Sequence, residues 1–414
     1  MSPATLSPTT LGSANPVRLR ATVSATLPSK LEPVNAATLD PAPVAATTVS
    51  APRKPPLPAL TGVRTLLAVN IMFFHFTPPH MRYLYPVIDN GYVFVGFFFL
   101  LSGYILAYNY ADRPQPLAKL PFWRARFARL YPVYLLSLAV SFKMLEAEWH
   151  VRSHSDFWTG LVLTPLLLQG WSPTLATYWN TVAWTLSSEV LLYAAFPWVV
   201  RLPWPKTPAR LIALLLGIWA LGLVPHTAYM LFNPDHLPGP ANRYSSGFWL
   251  RALKYTPLAY VCTFLAGVTL AKLQACLSLR PAQRTMLAGF SLVALAAFFA
   301  TVVGSMPYVL MHGGLLVPLF SMLVIGLSGQ NAIASAFGWR PIVLLGQTSY
   351  CMYLLHFNTI NLVRQYHLPE RLHVAALDPW LSYAFVLLLS YVAMRLVEEP
   401  ARDAILRHRK PAST

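Results

Sequence analysis

Residues 91–110 read GYVFVGFFFLLSGYILAYNY, twenty consecutive positions without Asp, Glu, Lys, Arg or His. A helix of that length extends about 30 Å, the thickness of the hydrocarbon core of a bilayer. Lipid offers no partner to backbone N–H and C=O groups, so such a segment has to close its hydrogen bonds internally, as a helix. The same reading applies, working outward, to 60–78, 130–147, 182–200, 210–231, 252–271, 286–303, 308–328, 341–361 and 379–397. A further apolar run, 157–170, is interrupted by Pro165 and reads as a re-entrant or interfacial piece. The expected fold is therefore an all-α membrane protein of about ten transmembrane helices.

Composition agrees. Of 414 residues, 56% are hydrophobic and 11% are charged, whereas a soluble domain carries about 25% charged residues. That excludes an ordinary cytosolic globule and a disordered or collagen-like chain. The 31 Lys and Arg against 14 Asp and Glu leave a net charge of +17, and the basic residues gather in short stretches between the apolar runs. This is a topology signal rather than a nucleic-acid one. With the N-terminus inside, 17 Lys and Arg fall on the cytoplasmic side and 5 on the other, or 7 with Arg251 and Lys254 at a helix edge. Both termini are expected to be cytoplasmic. Residues 1–57, rich in Ala, Thr, Pro and Ser, read as a disordered cytoplasmic tail with no secretory signal. Residues 58–400 form the transmembrane domain, and 401–414 a basic cytoplasmic tail. Cys262, Cys276 and Cys351 have neither pairing nor metal-ligand spacing, so no disulfide framework and no metal site are expected. No internal repeat is evident.

Ionisable groups at membrane depth are costly, and they mark sites or pathways. Here they are Arg64 and His75 in the first span, Glu189 in the fourth and His356 in the ninth. Arg64 and His75 are eleven residues apart, which is about 16 Å along a helix and about 20° past three full turns, so both face one side. One face thus joins an anion-binding end to a group suited to general acid–base work. Arg126 and Arg129, one turn apart at the start of the third span, form a fork that matches phosphate. Plain alternatives stand beside each reading: a core histidine bonded to a carbonyl, a structural Glu–Arg pair, a headgroup anchor with an aromatic belt. Small residues at Gly91, Gly96 and Gly103 would permit close helix approach.

Together these segments resemble the acyltransferase-3 family of bacterial integral-membrane O-acyltransferases. Its opening Arg and, eleven residues on, His are matched by Arg64 and His75 in VRTLLAVNIMFFHF, and its Gly- and Phe-rich second helix by GYVFVGFFFLLSGYIL. Its basic segment is matched by Arg126, Arg129 and Pro132, and its Trp-x-Leu-x-x-Glu motif by Trp184, Leu186 and Glu189. Its late motif is matched by Gly346, Ser349, Tyr350, Tyr353, Leu354 and His356, and its closing element by Glu399 and Pro400 with Arg402 after them. The resemblance covers about 60–405. It implies a bacterial inner-membrane enzyme with an acyl-CoA donor, most often acetyl-CoA, and a hydroxyl acceptor on a cell-surface or lipid-linked glycan.

On that footing Arg126 and Arg129, with Arg64, would hold the CoA phosphates. His75 would be general base or transient acyl carrier, and Glu189 would orient or stabilise its imidazole. Ser187, Tyr350 and His356 would line the acceptor or oxyanion side. Some family members carry an appended hydrolase-like domain that delivers the acyl group. The sequence at hand has none, so it would acylate its acceptor itself or work with a separate periplasmic acyl-delivery protein. Beyond the bilayer and the glycan, no nucleic acid is expected as a partner. Two other classes fit parts of the pattern. A proton-coupled transporter or exporter would use His75, Glu189 and His356 as relay groups, and a non-enzymatic envelope scaffold would leave the Arg64/His75 pair without a use.

Overall fold

A computed structural model describes residues 54–113 and 115–407. The expectation of a disordered tail thus lies, over residues 1–53, outside the described residues, as does the end of the basic tail. Among the described residues every regular element is helical. In chain order they are α1 (Pro58–His75), α2 (Tyr85–Ile88), α3 (Val93–Tyr110), α4 (Lys119–Val140), α5 (Phe142–Val151) and α6 (His154–Leu163). Then come α7 (Trp184–Val199), α8 (Pro208–Phe232), α9 (Phe248–Tyr255), α10 (Val261–Ala275), α11 (Pro281–Ala297) and α12 (Tyr308–His312). The last six are α13 (Val317–Leu327), α14 (Ala332–Phe337), α15 (Arg340–Gln365), α16 (Leu368–Arg371), α17 (Trp380–Ala393) and α18 (Glu399–Arg407). Single 3-10 or π turns fill several of the joints.

Among the described residues six helical stretches are long and apolar enough to cross a membrane: Val93–Tyr110, Pro208–Phe232, Pro257–Ala275, Pro281–Ser305, Tyr308–Leu327 and Trp380–Arg407. A seventh is added if α4 and α5 count as one span bent by 62°. Helices α8 and α11 leave much of their apolar length uncovered by protein, with Leu221, Val224, Phe290 and Val293 exposed. Faces of that kind are made for lipid. The helices that fall short of this measure, α1, α7 and α15, carry Arg64, His75, Glu189 and His356, and those side chains lower their hydropathy. Helix α7 is also short, at 16 residues.

Two expectations are revised in detail. The span over 130–147 is broken: α4 begins eleven residues earlier, at Lys119, and ends at Ser141, whose hydroxyl donates back to the Ser137 carbonyl at 2.6 Å. The basic Arg124, Arg126 and Arg129 therefore lie inside a helix and not ahead of one. The run 157–170 becomes the second half of α6 and the turns after it. Ten helical residues reach about 15 Å, half of the hydrocarbon core, in keeping with an interfacial piece.

Packing is governed by glycines that bring backbones together. Helix α3 lies along α10, where a Cβ on Gly267 would meet the Leu100 carbonyl and one on Gly103 the Phe264 carbonyl. Helix α1 lies along α15 in the same way, Gly346 facing the Thr61 carbonyl. Of the glycines marked by the sequence, Gly103 serves a backbone contact, Gly91 faces Asn70 and Phe74, and Gly96 has open space around it. Gly→Ala in a free helix position usually stabilises. Gly267→Ala should do the reverse, by about 1–3 kcal/mol of overpacking. It is expected to lower the midpoint of thermal unfolding in detergent, while Gly96→Ala leaves it level or raises it.

Candidate active site

Two clusters of polar side chains lie along α1, one near its middle at Arg64 and one at its C-terminal end at His75. The first lines a small cleft, with Arg64 from α1, Phe98 and Phe99 from α3, Thr185 and Glu189 from α7, and Tyr350 and Tyr353 from α15. The spacings explain why these residues converge. Thr185 and Glu189 are one turn apart on α7, and Ser349, Tyr353 and His356 recur at i, i+4 and i+7 on α15, so each helix turns one polar stripe inward. Arg126 and Arg129 are electrostatic neighbours of Glu189 together with Arg64, and Glu398 lies near Arg64. Three guanidinium groups thus surround Glu189, with the Glu398 carboxylate near Arg64. Among the described residues no ion pair within 4.0 Å engages Glu189, and the Nε groups of Arg64 and Arg126 are buried without a hydrogen-bond partner. Buried donors of this kind are normally satisfied. A cleft with surplus cations and unspent N–H groups has the chemistry of an anion site. Arg124 points elsewhere, its Nε donating to the Ile405 carbonyl at 2.9 Å and so docking α18 on α4.

The second cluster surrounds His75, the last residue of α1. Its ring centroid is 5.3 Å from that of His356, 5.1 Å from Phe357 and 5.0 Å from Phe74. His356 Nδ1 lies 2.8 Å from the Tyr353 carbonyl and 3.2 Å from that of Met352. A carbonyl accepts and never donates, so in the neutral ring Nδ1 carries the proton and Nε2 keeps its lone pair. That Nε2 is buried without a partner. The Tyr353 ring, 6.0 Å from His356, also borders the arginine-lined cleft, so the two clusters adjoin through one side chain.

The predicted residues are thereby sorted. Arg64, Glu189 and Tyr350 share the cleft with Arg126 and Arg129 beside them, and His75 stands with His356. Glu189 stands among the arginines, whereas the charged and titratable neighbours of His75 are His356 and Arg243. The helix geometry explains the separation, because a residue level with Arg64 is about three turns, or 16 Å, from the level of His75. Ser187 is a fastening rather than a lining residue, its Oγ accepting the Gly170 N–H at 3.2 Å and holding the turn before α7. Tyr350 borders the cleft while its hydroxyl donates to the Leu130 carbonyl at 2.6 Å. Three side chains beside the cleft were missed: Thr185, Tyr353 and Glu398. On α15, Asn358 also has both side-chain amide atoms buried and unpartnered. Asn358 was legible as a polar residue in an apolar run, though it is uncharged. Glu398 sits at the end of the last apolar run and reads there as a cytoplasmic residue.

A family model described as an acyltransferase domain, of the acyltransferase-3 type, matches residues 57–397. The chain is 30% identical over 330 residues to the acyltransferase MdmB of Streptomyces mycarofaciens, covering 75% of this chain and 80% of that protein. It is 24% identical over 372 residues to the peptidoglycan O-acetyltransferase OatA of Listeria monocytogenes, covering 84% of this chain and 56% of the relative. To the O-acetyltransferase OatA of Staphylococcus aureus it is 20% identical over 383 residues, covering 84% and 57%. The chain therefore spans little more than half the length of the OatA proteins. No solved structure matches it.

Proposed function

Because the chain belongs to the acyltransferase-3 family, we propose that it is a membrane O-acyltransferase of the bacterial inner membrane. It moves an acyl group, most simply acetyl, from cytoplasmic acyl-CoA to a hydroxyl of a cell-surface or lipid-linked glycan. The chain crosses the bilayer ten times, through α1, α3, α4, α7, α8, α10, α11, α12 with α13, α15 and α17, and both termini are cytoplasmic. Arg64 then lies toward the cytoplasm and His75 toward the outer side.

Arg126, Arg129 and Arg64 hold the phosphates of the donor, and Glu189 and Glu398 keep those guanidinium groups in place between turnovers. The pantetheine arm, an extended chain, carries the thioester along α1 toward His75. His75 takes the proton of the acceptor hydroxyl as its oxygen attacks the thioester carbonyl. The new C–O bond forms, the C–S bond breaks, and the proton passes from the imidazole to the departing sulfur, leaving an ester and CoA-SH. A two-step route through an acyl-imidazole on His75 gives the same products. His356, its Nδ1 tied to backbone, offers its Nε2 to position the His75 ring. Tyr350 and Tyr353 border the path between donor and acceptor. The acceptor is the glycan itself or a separate periplasmic protein that relays the acyl group.

One observation supports this reading: an excess of guanidinium groups with unspent donors adjoins, through Tyr353, a pair of imidazoles whose centroids are 5.3 Å apart. The test uses the purified chain in nanodiscs with acetyl-CoA and an oligosaccharide acceptor. Release of CoA-SH is expected to depend on the acceptor and to match ester formation one for one. Acceptor-independent release without ester, or flux of a solute across vesicles in the absence of acyl-CoA, would overturn it.

A further inference from the structure

Lys254, near the end of α9, is 5% exposed. Among the described residues its ammonium has no hydrogen-bonding acceptor and no carboxylate within 4.0 Å; it stands over the rings of Tyr308 and Tyr255, 5.2 and 5.3 Å from their centroids. Its charged surroundings are cationic, with Arg251 on its own helix and Arg243 in the loop before it, and His312 on α12 facing it. The carboxylate of that loop, Asp235, is committed to the N–H groups of Trp249 and Leu250, at 3.0 and 2.8 Å, and to the Tyr229 hydroxyl. A largely buried cation so placed is under-compensated, since contact with a ring face recovers a part of what water would give.

The rings lead from Lys254 to His75. Tyr308 is 4.8 Å from Tyr92, Tyr92 is 5.8 Å from Phe74, and Phe74 is 5.0 Å from His75. Arg243 closes the other edge, its guanidinium 4.2 Å from the Phe74 centroid, its Nη2 donating to the Phe74 carbonyl at 3.1 Å and its Nη1 3.7 Å from the half-exposed Asp89 carboxylate, so that among the described residues Lys254 is the cation of the two without a carboxylate partner. Two cations border this aromatic row, and the groups suited to them are the oxyanions of a sugar that carries an acidic substituent.

We infer that Lys254, with Arg243, binds a phosphate or carboxylate of the acceptor, so that the hydroxyl acylated at His75 belongs to an acidic saccharide. This rests on the acyl-transfer reading above and goes beyond it in naming the class of acceptor. The two charge sources, an acidic sugar and an anionic lipid headgroup, are separable by experiment.

The full chain in phosphatidylcholine nanodiscs is titrated calorimetrically with glucose 1-phosphate, methyl glucuronide and methyl glucoside. Loss of one charge-assisted contact corresponds to about tenfold in affinity. The two acidic probes should accordingly bind about tenfold tighter than the neutral one. Lys254→Met should erase that preference and Lys254→Arg should keep it, with acetyl-CoA affinity, the check on folding, unchanged in both. Equal binding of acidic and neutral probes to the wild type, or an unaltered preference in Lys254→Met, would overturn the assignment. So would a result in which phosphatidylglycerol in the nanodisc displaces the acidic probes through Lys254, since the site would then belong to lipid. If acidic probes bind through Lys254 but no hydroxyl acceptor releases CoA-SH, the acyl-transfer reading falls and the anion site stands. If transfer proceeds with no preference for charge, the reverse holds.

Discussion

His75→Ala is expected to lower acyl transfer by about 10²–10⁴-fold, the range spanned by loss of a general acid–base group, while leaving acyl-CoA affinity unaltered. The two effects separate because the levels of Arg64 and His75 along α1 differ by about 16 Å. The substitution empties space against His356, Phe357 and Phe74, so His75→Gln, which keeps more of the volume, serves as the second variant. It should be as inactive as His75→Ala if proton transfer is the lost function. Two measurements check this: acceptor-dependent release of CoA-SH, and direct binding of acetyl-CoA. Turnover near that of the wild type in either variant would remove His75 from the reaction, and a parallel loss of donor binding would make its role structural.

How much of this was legible beforehand follows from what helical periodicity encodes. The eleven-residue spacing of Arg64 and His75 was sufficient to put them on one side of one helix, and the structure turns that side toward α7 and α15. Periodicity within a helix does not reveal which neighbour it meets. Glu189 was expected beside His75, and the structure sets it among the arginines; the axial distance between Arg64 and His75 already separated those two neighbourhoods. The sharing of roles among Arg124, Arg126 and Arg129 was likewise decided by long-range packing: the Ile405 carbonyl that takes Arg124 is 281 residues away in sequence. The start of α4 was misplaced because a stretch rich in arginine was read as lying outside the bilayer, whereas it is the polar beginning of a helix that enters it. Lys254 was noted as an edge residue and nothing more. A buried lysine and a snorkelling one have the same sequence context, and what tells them apart is the pair of tyrosine rings, one adjacent and one 54 positions away, over which the ammonium rests.

Replacing Arg126 and Arg129 together by Gln is expected to weaken acetyl-CoA binding by about 100-fold or more, from two charge-assisted bonds at about 1.5–3 kcal/mol each. Turnover at saturating donor should stay near that of the wild type. That separation is expected because these side chains touch the nucleotide end of the donor, whose contacts are equally strong before and during the reaction, so their loss raises KM and not the barrier from the bound state. Lysine at both positions should give an intermediate loss: it keeps the charge but not the planar fork. Acetyl-pantetheine, which lacks the nucleotide phosphates, sharpens the test. The wild type should prefer acetyl-CoA over it strongly, and the double Gln variant should treat the two nearly alike. A lipid-anchor role for the same arginines predicts something different, namely poorer recovery in the membrane fraction with the preference for acetyl-CoA intact. Raising salt separates them further, because an exposed anchor at the headgroup layer is screened within about 10 Å at 0.1 M. Donor binding in a buried cleft whose guanidinium groups already lack hydrogen-bond partners should change much less.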